Sequence, residues 1–273
     1  MNEKFGNARL RKPQPVPPIW MMRQAGRYHA HYQALRKRHS FMELCKEPEL
    51  AAQVALGPIE DFDFDVSILF SDLLFPLEAL GMGLEYKETG PELGWHLDFK
   101  SIERIASVDE ALPKLQFQRE AVKATRAALP ASKSLIGFVG GPFTLFTYAV
   151  EGSHKGSLVG VKRSLDLYDR FNKVLVPLLI ENIRLQFEGG AELVMLFDTA
   201  AGELAPGHFE RLALPAIEKI ARSFPGKIES HGRGACPRAL LSRGSPCGAG
   251  SRPPLGHPRC IFAFAHGIRA GKF

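Results

Sequence analysis

Leu135-Ile136-Gly137-Phe138-Val139 runs straight into Gly140-Gly141-Pro142, and this stretch decides the fold. A short apolar run without polar alternation is the pattern of a strand buried on both faces, as in a parallel sheet. The pattern recurs three times. Ile19-Trp20-Met21-Met22 ends at Arg23-Gln24, Val66-Ser67-Ile68-Leu69-Phe70 ends at Ser71-Asp72, and Leu193-Val194-Met195-Leu196-Phe197 ends at Asp198-Thr199. Each run gives way at once to Gly, Ser, Asp, Thr or Arg, residues suited to a working loop. Helical patterns lie between the runs: Pro48 to Phe62, Glu110 to Leu129, Leu158 to Glu188 and His208 to Phe224, with a kink expected at Pro215.

Strand and helix in alternation predict an α/β fold. Chemistry-capable residues at the C-terminal ends of several strands favour a (β/α)8 TIM barrel over an open sheet. About four strands precede Pro225, however, where a barrel has eight. The 48 residues from Gly226 hold nine Gly and five Pro and show neither strand nor helix period. Two segments are therefore expected: residues 1–226 as the N-terminal part of a barrel, and residues 227–273 as an aberrant tail, frameshifted or disordered.

Charge divides at the same place. The net charge of +6 resolves into eight Lys/Arg against one Asp/Glu after Pro225, and 27 against 28 before it. The body is near neutral, which removes most of the motive for nucleic-acid binding. No apolar run approaches the ~20 residues of a membrane-spanning helix, and Met1 to Gln14 carry no apolar signal core. Cys45 stands alone in the body, while Cys236, Cys247 and Cys260 fall in the tail. A cytoplasmic protein without a disulfide framework is expected.

Three segments carry chemistry. In Met22-Arg23-Gln24-Ala25-Gly26-Arg27-Tyr28, two Arg four residues apart follow an apolar run. Guanidinium groups stay charged and grip carboxylates through paired bonds, so the two suit an anion pocket or, equally, a surface pair balancing nearby acids. Asp72, at a strand end, suits either a helix cap or a cation stabiliser. In Gly137 to Gly152 the glycines allow close backbone approach to a ligand, or simply a tight turn, and Tyr148 offers a phenol or packs inward.

Taken together, these segments resemble the uroporphyrinogen decarboxylase family from about Pro17 to Phe224. The Met-Arg-Gln-Ala-Gly-Arg-Tyr stretch is similar to that family's first signature and Gly137 to Gly152 to its second. Ile68-Leu69-Phe70-Ser71-Asp72 and Leu80-Gly81-Met82 match the segment between. The resemblance implies a (β/α)8 barrel, a homodimer when complete, and removal of carbon dioxide from the four acetate side chains of uroporphyrinogen III to give coproporphyrinogen III, without metal or organic cofactor. It implies that Arg23, Gln24, Ala25, Gly26 and Arg27 line the substrate pocket. Asp72 would face the pyrrole nitrogens, Tyr148 would bond near the reacting ring, and Thr199 falls where relatives carry Ser or Thr.

Chemistry agrees with that inheritance. A substrate with eight carboxylates needs fixed cations. Protonating a pyrrole ring makes a cation that accepts the electron pair released with carbon dioxide, and an ionised Asp72 would stabilise that charge. Arg23 would orient a carboxylate and is a candidate donor, although an Arg at its usual pKa is a poor general acid.

The chain departs from the pattern near Lys227. Relatives are longer and carry a late His. His266 follows Thr199 too closely for the missing strands, so that role is not carried over. Open sheet edges predict an inactive and poorly soluble polypeptide. Two other readings stand beside this one: a cobalamin-linked methyltransferase with zinc ligands, for which His231, Cys236, Cys247, His257 and Cys260 are the scattered candidates, and a non-catalytic fragment whose basic tail binds anions.

Overall fold

A computed structural model describes residues 1–87, 90–153 and 156–224, together with the backbone of 228–231. Six strands occur among them. They are β1 (Val66–Ile68), β2 (Glu85–Lys87), β3 (Gly90–Glu92), β4 (Ser134–Gly140), β5 (Leu193–Phe197) and β6 (Ile228–His231). Strands β1, β4, β5 and β6 form one parallel sheet in the order β1-β4-β5-β6, while β2 and β3 form a separate antiparallel hairpin. Ile136 ties the register, pairing with Ile68 on one side and Leu193 on the other. The run Leu135–Val139 lies at the sheet's centre, and every residue of β4 is buried.

The helix Pro48–Phe62 has the bounds its sequence predicts. Proline opens its first turn, and Asp63 in the left-handed region (φ 52°) ends it. The expected helix Glu110–Leu129 is instead three pieces: Val108–Ala111, Leu112–Leu115 and Gln116–Ala128. Pro113, which has no N–H to give, lies at the break. The expected helix Leu158–Glu188 divides into Val159–Arg163 and Leu165–Glu188, with Ser164 out of helical geometry between them. Pro215 lies within the helical run from Pro206 to Arg222, just after a π-helical turn over Phe209–Ala213, so the helix is distorted beside it as expected.

Two expectations about strands need correction. Ile19 to Met22 is no strand, and Ile19, Met21 and Met22 are exposed. Pro17 and Pro18 remove two ladder donors, and Asp65 anchors the start of the segment. The Ile19 N–H donates to Asp65 Oδ2 at 2.8 Å, and the Asp65 N–H returns a bond to the Ile19 carbonyl at 3.0 Å. The second correction is the fourth strand of the sheet. It is β6, beyond the expected boundary at residue 226, and it pairs in parallel with β5 from Val194–Ile228 to Phe197–His231. A four-residue strand in Gly-rich surroundings carries too short a pattern to be read. Residues 232–273 lie outside the described residues, and with them Cys236, Cys247, His257, Cys260 and His266.

Asp65 is a pH-dependent anchor. Burial works to raise its carboxyl pKa, but the Ile19 N–H and the Lys4 ammonium, at 3.0 Å, outweigh it and hold the group below the usual carboxylate range. A depressed native pKa gives stability that is present above the unfolded value of ~3.9 and is lost as pH falls through the native one. Asp65→Asn is expected to cost about 1 kcal/mol at neutral pH, from the hydrogen bonds to the charge, and to flatten the acid limb of Tm against pH. An unchanged acid limb would remove Asp65 from this role.

Candidate active site

The loops at the C-terminal ends of β1, β4 and β5 converge, and the Trp20–Tyr28 segment closes over them. Trp20 stacks on Phe197 with ring centroids 6.5 Å apart, and Gln24, 1% exposed, donates from Nε2 to the Val66 carbonyl at 3.1 Å. Gln24 also takes the Met21 N–H on Oε1 at 3.3 Å. With this side chain spent on the fold, Arg23 turns outward in the left-handed region (φ 61°), a conformation L-residues reach at some cost.

Beneath lies a cavity of about 280 Å3, walled by Trp20, Phe70, Phe138 and Phe197, with Arg23 and Asp72 as its charged groups. Gln24, Ala25, Ser71 and Thr199 also line it. Five of the residues singled out in the sequence therefore share one hollow: Arg23, Gln24, Ala25, Asp72 and Thr199. Tyr148 stands just outside the lining, on the helix Pro142–Glu151. Burial raises its phenol pKa, the charge of Asp72 adds to the rise, and Arg23 opposes it.

Gly26 and Arg27 stand apart from the other five. Neither lines the cavity; Arg27 is exposed and its charge acts on Tyr32. The chain between Arg23 and Arg27 is a series of turns, neither strand nor helix, and becomes helical only at Ala30. Gly26 serves the turn instead, since a Cβ there would meet the Arg23 carbonyl at 3.2 Å.

Asp72 is a half-buried carboxylate on a short loop. Its Oδ1 accepts the Leu74 N–H at 2.8 Å. Burial pushes its pKa above the ordinary value, and the Leu74 and Leu73 N–H groups only partly offset this. The buried phenol oxygen of Tyr86, on β2, faces the same carboxyl, and burial first, then the Asp72 charge, drives the phenol's pKa up. Cys45 sits behind the same loop. Burial, then Asp72, pushes its thiol well up, so it is no nucleophile at neutral pH.

Sequence reading missed Asp198. This fully buried carboxylate, 2% exposed, follows β5 and reaches across to the helix Pro142–Glu151. It accepts from the Thr144 N–H at 2.7 Å, the Thr144 hydroxyl at 2.8 Å and the Phe143 N–H at 3.4 Å. The Thr144 hydroxyl oxygen in turn accepts the Ala200 N–H at 3.0 Å. The helix's own N-cap, Gly141, has no side chain, and a Cβ there would lie 2.2 Å from Asp198 Cβ. The signal was the pairing of a capless Gly-Gly-Pro helix start with an acid after a strand, which only contact in space connects.

Parallel strands alternating with helices, with charged and aromatic side chains gathered past the strand ends, define a protein of the (β/α)8-barrel class, part of whose sheet is present among the described residues. Similarity searches narrow the class. The model of the family "Uroporphyrinogen decarboxylase (URO-D)" matches residues 1–249, and the chain belongs to that family. The match runs past Lys227, where the sequence resemblance was expected to stop.

Among relatives, the uroporphyrinogen decarboxylase of Myxococcus xanthus is 37% identical over 224 residues, covering 81% of this chain and 64% of that one. The Geobacter protein of the same name is 36% identical over 229 residues, covering 81% of this chain and 66% of that one. The chain thus spans just under two thirds of these relatives. In structure it is similar to a methyltransferase from Methanosarcina mazei, with a TM-score of 0.69 at 20% identity over 85% of this chain and 69% of the other, a likeness of fold. Among the described residues no helix is long and apolar enough to cross a membrane, and no group of three or more His, Cys, Asp or Glu is placed to hold a metal ion.

Proposed function

We propose that the cavity binds uroporphyrinogen III and that the protein, as a cofactor-independent carboxy-lyase, removes carbon dioxide from its four acetate side chains to yield coproporphyrinogen III. One observation carries the reading: Arg23 and Asp72, a cation and a half-buried acid, share a single aromatic-walled hollow at the strand ends. Aromatic walls suit pyrrole faces, Arg23 suits a carboxylate, and Asp72 suits ring N–H groups.

In the reaction a proton adds to a ring carbon beside the acetate-bearing one, leaving the ring cationic. The bond between methylene and carboxylate then breaks. Its electron pair forms an exocyclic double bond that neutralises the ring, and carbon dioxide leaves. A proton taken up at the methylene and one lost from the ring complete a methyl group. Asp72 holds its charge against the developing cation through the first half of this cycle. In this reading the protein works in the cytoplasm as a homodimer.

Product analysis tests the proposal. Uroporphyrinogen III is supplied to this chain and to the chain continued from β6 with the remaining third of the Myxococcus relative, and the porphyrins are separated by carboxylate count. Stepwise appearance of seven- to four-carboxylate products from the extended chain, with little from the short one, is the expected result. No product from either would overturn the assignment.

A further inference from the structure

A row of buried amides leads from the sheet to the cavity wall, and its polarity is determined. Gln186, fully buried on the helix Leu165–Glu188, donates from Nε2 to the Phe138 carbonyl at 2.9 Å and to Gln118 Oε1 at 3.1 Å. Its amide cannot turn over, because an oxygen at the Nε2 position would face a carbonyl that only accepts. Room for the other end comes from Gly137, where a Cβ would lie 2.1 Å from Gln186 Oε1.

Gln118, 2% exposed on the helix Gln116–Ala128, is oriented in turn. Its oxygen is taken by Gln186, so its Nε2 points the other way and donates to Ser71 Oγ at 3.1 Å. Ser71 lines the cavity next to Asp72. Its oxygen accepts from Gln118, and among the described residues its hydroxyl proton has no protein acceptor.

We infer that Ser71 is a ligand-binding donor, presented by Gln118 and Gln186 so that its O–H points into the cavity toward a carboxylate oxygen of the bound molecule. The Phe138 carbonyl sets the direction of Gln186, Gln186 that of Gln118, and Gln118 that of Ser71. Gln118 and Gln186 are positioning residues; Ser71 makes the contact. A donor there adds to Arg23 without adding charge beside Asp72, which a second cation would neutralise. The inference rests on the cavity being a carboxylate site, as proposed above.

The test uses uroporphyrin, the oxidised macrocycle with the same carboxylates, so that no turnover is needed. Binding is read as quenching of Trp20 in a Trp95→Phe background, Trp95 lying on the Gly81 carbonyl outside the cavity. Ser71→Ala is expected to weaken Kd about tenfold, the loss of one hydrogen bond to a charged group, and Ser71→Thr to retain most of the affinity. Gln118→Met should weaken binding several-fold when Ser71 is present and not at all in the Ser71→Ala background.

An equal loss from Gln118→Met in both backgrounds would make it a packing residue and overturn the relay. Unaltered binding in Ser71→Ala would overturn the donor. If the parent chain, folded by circular dichroism, fails to bind uroporphyrin, the carboxylate cavity itself falls and the Ser71 inference falls with it.

Discussion

Asp72→Asn is expected to lower carbon dioxide release by about two to three orders of magnitude, the usual loss when a preorganised electrostatic partner of the transition state is removed. The substitution isolates charge from geometry. An Asn oxygen still accepts the Leu74 N–H that shapes the loop, and the side chain keeps its volume. Uroporphyrin binding should weaken only a few-fold, because the ground-state ring N–H groups are neutral donors and an amide oxygen still receives them.

The pH profile adds a second readout. The Asp72 carboxyl is lifted above its ordinary value by burial, so the acid limb of kcat should lie above ~3.9 in the parent and be absent in the variant. The measurement is made on the turning-over polypeptide of the product assay. Turnover within a factor of three of the parent, with the acid limb intact, would take Asp72 out of the chemistry.

Asp198→Ala is expected to destabilise the protein by about 2–4 kcal/mol, the cost of stripping a charged acceptor from buried donors, and to lower Tm by roughly 5–15 °C for a chain of this size. Three donors lose their partner at once: the N–H groups of Phe143 and Thr144 and the Thr144 hydroxyl. Two of these lie in the first turn of a helix whose N-cap is glycine, so nothing local replaces the acid.

Burial raises the Asp198 carboxyl pKa, with the Thr144 and Phe143 bonds opposing it. The native state then holds this proton more tightly than the unfolded chain. The group therefore favours folding most below ~3.9 and loses that contribution as pH rises through its raised native pKa. Asp198→Asn should fall between parent and Ala, relieving the buried charge but aiming an NH2 at helix N–H groups. Melting of Asp198→Ala within 1 °C of the parent would show the clamp to be dispensable.

Where the sequence could be read and where it could not follows from range. Leu135–Val139 and Leu193–Phe197 announced buried strands because burial on both faces writes an unbroken apolar run, and the structure buries them. Ile19–Met22 wrote a similar run and stays exposed, since a run that closes over a cavity and a run inside a sheet are the same letters. Asp72 and Thr199 were legible as residues past strand ends and Arg23 as part of the Met-Arg-Gln-Ala-Gly-Arg-Tyr stretch, and they meet in one hollow. Arg27 does not line that hollow, because the chain between it and Arg23 turns.

By itself the sequence determined the α/β class, the family, the near-neutral body and the acid and cation singled out as candidates, Asp72 and Arg23. Each is encoded within a few consecutive residues, in composition or in local period. Only the tertiary structure decided that Asp198 caps a helix 54 residues away in the chain and that Gln186 and Gln118 aim Ser71. It also decided that the Gln24 side chain is spent on the Val66 carbonyl and the Met21 N–H while its neighbour Arg23 is left exposed at the cavity. Hydrogen bonds between groups distant in sequence leave no period behind them, because their partners are chosen by where the backbone places each donor and acceptor in space.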